Sequence, residues 1–393
     1  MRILRATFFI VGTSIGAGFI SGTELVRFFR GKQFFLPVVI SSVIFAALVC
    51  LFLRVGNRHG GYRGAMRFLF KKAAPTAEGT VCILSLVPAA GMLAGLDALL
   101  PNLSPLLSLC AIVVSVFCVW RGTKGISLLN LLLVPALLVF VWGFGWGNFS
   151  FCYPTEIGVI APYFGGILYA GMNAFLAAPV LLDAGKDMKF SLPPALLAAL
   201  CVGVSAVCIL GKVYGEGAGA IFAEMPFLFV MRDAKIFFVA VALAILTSLV
   251  SALYPLLTVF DAVKKRPKRI AAKGGALLAA FLLSRLGLSG IVNYFYPLLG
   301  GVGLCFSAVC IFNEELFKKH HEKVHPRRKH AKDHRCAHHK VKFKHLPAVH
   351  DQVAESRLRN DVFSHNRADP RHADVHFKHG NKRVDRRWDH KLS

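Results

Sequence analysis

"VGTSIGAGFISGTE", residues 11–24, is the stretch whose reading decides the fold. It lies inside the first long apolar segment and sets Gly12, Gly16, Gly18 and Gly22 where a membrane helix would carry Leu or Val. Glycine costs a helix about 1 kcal/mol relative to alanine, so several within two turns weaken it severely. Inside a bilayer the freed N–H and C=O groups have no water and must find partners. Such a break persists only where it lines a cavity or binds something. The competing reading is close helix packing through small residues, and on Gly12 and Gly16 alone that reading is slightly the stronger.

The rest of the chain supplies the bilayer. Of 393 residues, 55% are hydrophobic, and the mean hydropathy is +0.57. Apolar segments fall at 6–29, 34–54, 79–100, 104–120, 125–145, 158–184, 190–212, 236–260, 270–287 and 288–313. Each is long enough, or nearly so, to cross a hydrocarbon core, which makes ten spans in an integral membrane protein. The split near "SRLGLSG" (284–290) is the weakest, and a nine-span reading would move the C-terminus to the other side. The basic, then apolar start "MRILRATFFIVG" has the form of a signal peptide. With so many spans following, it reads as a retained first span. The ten cysteines show no C-x-x-C spacing, so neither a disulfide framework nor a structural zinc site is indicated.

Basic residues set the orientation, because cytoplasmic loops are enriched in Lys and Arg. With the N-terminus inside, "RVGNRHGGYRGAMRFLFKK" (54–72) and "KKRPKR" (264–269) both fall on the inner side. Ten spans then place both termini in the cytoplasm. Residues 213–234 are too polar at their ends to span, and fit an outer-facing helix or a partly re-entrant loop. Residues 318–393 carry 21 Lys+Arg against 9 Asp+Glu, with 14 of the 15 histidines. That composition predicts a disordered tail attracted to anionic lipid. No metal-ligand spacing and no nucleic-acid module is visible in it. The alternative is a frame artefact, because the composition is unlike the rest of the chain.

A second unusual segment changes the weight given to the first. "GVIAPYFGGILYAGMNAFLAAPVLLDAG" (158–185) carries Pro162, Gly165, Gly166, Gly171, Asn173 and Pro179. It is the sixth span, as the glycine-rich stretch is the first. Paired interrupted helices at matching positions of two halves point to an inverted-repeat transporter. Five spans invert the next copy because five is odd. The predicted architecture is therefore all-α, a 5+5 inverted repeat over 1–317 (about 1–150 and 151–317) with helices 1 and 6 discontinuous. Half-helix ends supply the site chemistry. Carbonyls of the inner piece suit a cation, and N–H groups near Gly18–Phe19 suit a carboxylate. Gly16, Ala17, Gly18, Phe19, Tyr169, Gly171 and Asn173 are the expected substrate contacts. Glu24 is an ionisable group within the membrane and so a gate or proton-carrier candidate. Pairing with Arg27 three residues on explains it equally well.

The residues carry a resemblance. "GTSIGAGFISGTELVRFF", "GISLLNLLLVPALL" (125–138) and "YAGMNAFLAAPVLLDAG" (169–185) resemble the first, fifth and sixth spans of the YkvI-like family of bacterial membrane proteins. That family lies in the amino acid–polyamine–organocation superfamily, with its LeuT-type fold. The resemblance covers about residues 5–315. It implies a sodium site between spans 1 and 8, with carbonyls from Gly12, Ile15 and Ala244 and hydroxyls from Thr247 and Ser248 in "AILTS" (244–248). Against it stands hydrogen bonding of Thr247 and Ser248 to their own helix. Phe19 replaces the Asn that follows Gly-Ala-Gly in the amino-acid/sodium branch, which argues against a second sodium.

The implied activity is import of a small solute, an amino acid or related amine, by alternating access coupled to Na+ or H+ across the bacterial cytoplasmic membrane. No cofactor beyond Na+ and no enzymatic motif is expected. The rival is a ligand-responsive receptor or ion-conducting subunit on the same scaffold, as in spore-germination proteins.

Overall fold

The computed structural model describes residues 2–30, 33–100, 102, 106–145, 149–150, 162–188, 190–231 and 235–324, and among these it is helical without strands. The expectations for the tail fall almost wholly on residues 325–393, outside the described residues.

The first apolar segment is three short helices. These are α1 (Arg2–Ser14), α2 (Ala17–Ile20) and α3 (Thr23–Phe28). The hydroxyls of Thr13 and Ser14 turn back to the Ile10 carbonyl at 2.7 and 3.0 Å, the local competition that weakens helix interiors. Gly16 then caps α2 in an extended conformation. Gly22 joins α2 to α3 at φ +82°, a left-handed backbone that a side chain would strain.

The chain continues through α4 (Phe35–His59), a short α5 (Tyr62–Phe70), α6 (Ala74–Leu99), α7 (Leu106–Trp120), α8 (Gly122–Phe144), α9 (Pro162–Gly185) and α10 (Leu192–Gly215). Two short helices, α11 (Ala218–Ile221) and α12 (Pro226–Val230), precede α13 (Lys235–Thr258), α14 (Arg266–Leu283) and α15 (Leu288–Val324). Gly287 at φ +77° separates the last two, so "SRLGLSG" is a boundary between helices. Among the described residues seven helices are long and apolar enough to cross a membrane, and α1 and α7 are shorter apolar helices. Ile83, Val113, Leu132, Val139 and Tyr294 are exposed on their outer faces. A surface of that kind belongs in lipid.

The expected interruption of the sixth span is absent: α9 runs unbroken from Pro162 to Gly185. Its glycines pack instead of breaking. A Cβ at Gly165 would overlap the Phe28 carbonyl oxygen, one at Gly166 would come within 2.7 Å of the Pro37 carbonyl, and one at Gly171 within 2.8 Å of the Gly300 carbonyl. Neighbouring backbones approach the missing side chains, while the helix keeps its own hydrogen bonds. Small-residue packing therefore accounts for the glycines of α9, whereas in the first segment Gly16 and Gly22 stand at breaks between helices.

Two packing groups result. The segments α1, α4, α9 and α10 pack on one another, as do α6, α7 and α13, with α14 against α6 and α13. Helix α8 touches both α1 and α13, and α15 touches both α9 and α6. At the far end of α4, Arg58 and His59 hold the buried Glu314 of α15, the imidazole at 3.1 Å.

Candidate functional site

The break in the first segment leaves backbone groups that need partners, and two helices supply them. Ser248 of α13 donates through Oγ to the Ile15 carbonyl at 2.5 Å and lies 3.4 Å from that of Gly12. The Ala17 N–H points at the Met92 sulfur of α6 at 3.1 Å. Without these contacts the freed groups would be buried and unpaired, at about 1–3 kcal/mol each.

The residues of the implied cation site divide between two contacts. Ser248 bridges to Gly12 and Ile15 across the helix interface. Thr247 donates to Ala244 at 2.9 Å within its own helix. All five residues are buried. Three carbonyls and two hydroxyls, each hydroxyl bonded to one of those carbonyls, are an oxygen-only set with no carboxylate, a composition that fits a monovalent hard cation.

Beside this set lies a cavity of about 20 Å³ lined by Thr13, Ser14, Gly16, Glu24, Met92, Asn173, Ser248 and Ser251. That volume holds a water molecule or a small ion, so an amino acid would require it to widen. Glu24 reaches back from α3 across Gly18, where its carboxyl occupies the space a Cβ would need. Glu24 is 3% exposed. Its partner is the Tyr169 hydroxyl at 3.5 Å, and among the described residues it makes no ion pair with Arg27. Tyr169 is wedged between the rings of Phe28 and Phe29, with centroids at 5.3 and 5.2 Å. Asn173 donates its amide to the Tyr169 carbonyl at 3.1 Å and faces the cavity. Ala17 and Phe19 are fully buried, whereas Gly171 faces α15 rather than the cavity.

Sequence reasoning passed over Met92, Ser251, Tyr296 and Asn130. Asn130 is the one amide in the apolar run of α8, a signal for an intramembrane polar site. It donates to the Phe9 carbonyl at 3.1 Å, lies against the Cα face of Gly12, and its Oδ1 has no partner. Asn130→Ala is expected to lower thermal stability by about 1 kcal/mol, as read by unfolding in detergent. An unchanged midpoint would mean this bond holds α1 no better than packing does.

The two ends of the first segment differ. Toward the start of α1 there is a cavity of about 700 Å³ lined by Arg5, Phe9, Lys124, Ser127 and Asp187 among others. At the opposite end the segment carrying α11 and α12 sits on the α2–α3 joint. The Phe227 N–H donates to the Ser21 carbonyl at 2.7 Å and Thr23 Oγ1 to the Glu224 carbonyl at 2.7 Å.

No family model matches the chain. It is 26% identical over 326 residues to the uncharacterised membrane protein YkvI of Bacillus subtilis, covering 77% of this chain and 93% of that protein. The resemblance to the YkvI-like family read from the first, fifth and sixth spans is shown over most of the chain. Among solved structures it is similar to Mhp1, a nucleobase-cation-symport-1 family transporter, in a closed conformation with bromovinylhydantoin bound. The TM-score is 0.56 at 17% identity, over 76% of this chain and 74% of that one. The chain is a helical integral membrane protein that shares the fold of that structure.

Proposed function

We propose that the protein is a secondary transporter importing a small solute, an amino acid or related amine, by alternating access coupled to Na+. The observation that carries this reading is the broken first segment, whose freed Gly12 and Ile15 carbonyls meet Ser248 of α13. Backbone is left open at membrane depth only where it serves a ligand or a cavity. The grouping of the helices fits the expected two-fold repeat of the chain. On this reading α1, α4, α9 and α10 are spans 1, 2, 6 and 7, and α6, α7, α13 and α14 are spans 3, 4, 8 and 9. Each group therefore takes the same two positions from both halves. A cavity toward the start of α1 and a covered α2–α3 joint at the other end of the first segment fit one face of an alternating-access cycle.

Both termini lie in the cytoplasm of a bacterial cell on this reading, and H+ replaces Na+ if no sodium effect exists. The test is uptake in sealed proteoliposomes under an inward Na+ gradient, with K+ as control. Accumulation above equilibrium that collapses with the gradient is expected. Saturable binding without accumulation would instead favour the receptor on the same fold.

A further inference from the structure

We infer that the basic edge of α5 and the start of α14 bind anionic phospholipid, with phosphate on their lysines and arginines and acyl chains along the exposed face of α14. This is independent of transport and of the cation site.

Charge comes first. Residues 54–77 hold six Lys and Arg and no Asp or Glu, and five of the six residues in "KKRPKR" (264–269) are basic. Helix α5 buries Tyr62, Ala65, Met66 and Leu69 on one face, the spacing of an amphipathic helix. Arg63 and Arg67 are exposed on the other. Lys71 and Lys72 follow, also exposed, in the turn before α6. Lys71 has φ +48°, in the region that favours glycine. A cation stands where glycine would be unstrained.

The two stretches share one end of the bundle. Arg63 donates to the Thr258 carbonyl at the end of α13 at 2.8 Å, and "KKRPKR" begins six residues further on. The turn Val259–Ala262 between them packs against both α6 and α14. Acids at this end are already engaged. Asp183 holds Lys186 and the Tyr254 hydroxyl, Glu314 holds Arg58 and His59, and Asp261 holds Lys273. Among the described residues, Arg67, Lys71, Lys72 and the cations of 264–268 are in no ion pair. Like charges gathered this way repel, and an anion from outside relieves them.

The face of α14 selects a lipid over a soluble anion. Arg266, Ile270, Leu278 and Leu282 stand four or eight residues apart, on one side of the helix, and all are exposed. Ile270, Leu278 and Leu282 are 58–60% exposed. A cation thus heads an apolar track, the order in which a phospholipid presents its phosphate and its acyl chains. Basic clusters beside membrane helices attract anionic headgroups in this way.

The test titrates the full chain, in neutral detergent, with phosphatidylglycerol and with phosphatidylcholine of the same acyl chains. Glycerol phosphate supplies the headgroup without a tail, and the midpoint of thermal unfolding is read in each. Phosphatidylglycerol is expected to act at concentrations about tenfold or more below those phosphatidylcholine needs, and glycerol phosphate to do little. A cation near the surface is worth roughly fivefold in affinity. Lys264→Gln, Lys265→Gln, Arg266→Gln and Lys268→Gln together should therefore weaken phosphatidylglycerol by about 30-fold or more. Arg67→Gln with Lys71→Gln and Lys72→Gln should weaken it by about tenfold or more. The basic tail is the same in both variants, so a loss belongs to these clusters. The swap Lys264→Arg, Lys265→Arg, Arg266→Lys and Lys268→Arg keeps every charge and should respond as wild type. Equal responses to the two lipids would overturn the inference, as would an undiminished response in either neutralised variant. Glycerol phosphate acting as strongly as phosphatidylglycerol would also overturn it, and would mark a site for a soluble anion or an acidic partner. All the substituted side chains are exposed. Should one variant fail to fold, the other decides.

Discussion

Thr247→Ala combined with Ser248→Ala is expected to abolish both the Na+-dependent gain in thermal stability and Na+-driven uptake. A cation present at 100 times its dissociation constant adds about 2.7 kcal/mol to the native state, and all of that should vanish. The double variant deletes two of the five oxygens, and without Ser248 the Ile15 carbonyl loses its partner. A second consequence follows in the absence of sodium. A buried carbonyl left unpaired costs about 1–3 kcal/mol, so the variant should unfold earlier than wild type even in K+. The comparison is one unfolding series in Na+ and in K+, for both proteins. If the difference between the two ions survives in the double variant, these hydroxyls are not sodium ligands. If the wild type itself cannot tell Na+ from K+ at any pH, sodium coupling falls and Glu24 becomes the proton-carrier candidate.

Gly165→Ala should be among the most destabilising of the conservative changes in the helical core, by about 3 kcal/mol. The new Cβ would overlap the Phe28 carbonyl oxygen. A main-chain atom cannot swing aside as a side chain can, so α9 and the end of α3 must separate. Gly301→Ala is the control. It sits in α15 with nothing within 4 Å of the position a Cβ would take, and alanine there should be neutral or stabilising by up to about 1 kcal/mol through helix propensity. Midpoints of thermal unfolding in one detergent decide between them. Equal midpoints for Gly165→Ala and wild type, with transport lost, would return the glycines of α9 to a role in a working hinge.

Much of this molecule could be read from its residues. Long apolar runs have one stable solution in a bilayer, so the all-helical architecture and the approximate ends of the long helices follow from hydropathy and length. Thr13, Ser14, Gly16 and Gly22 likewise announce a broken helix through local backbone chemistry: two hydroxyls that compete for the Ile10 carbonyl, and two glycines free to leave the helical region. The pairing of Thr247 and Ser248 with the broken segment entered through the resemblance, since the two stretches lie more than 200 residues apart.

Tertiary structure decided what the glycines of α9 do. Gly165 and Gly16 are the same residue in similarly apolar surroundings, and sequence alone treats them alike. Gly165 keeps its helix because the neighbouring backbone at Phe28 fills the space of its missing side chain. Gly16 leaves its helix because Ser248 and Met92 stand ready to satisfy the groups that the break frees. The polarity of the cavity wall was equally hidden. Ser, Thr and Asn can donate or accept, and which they offer a ligand depends on which carbonyls the fold has already placed against their protons.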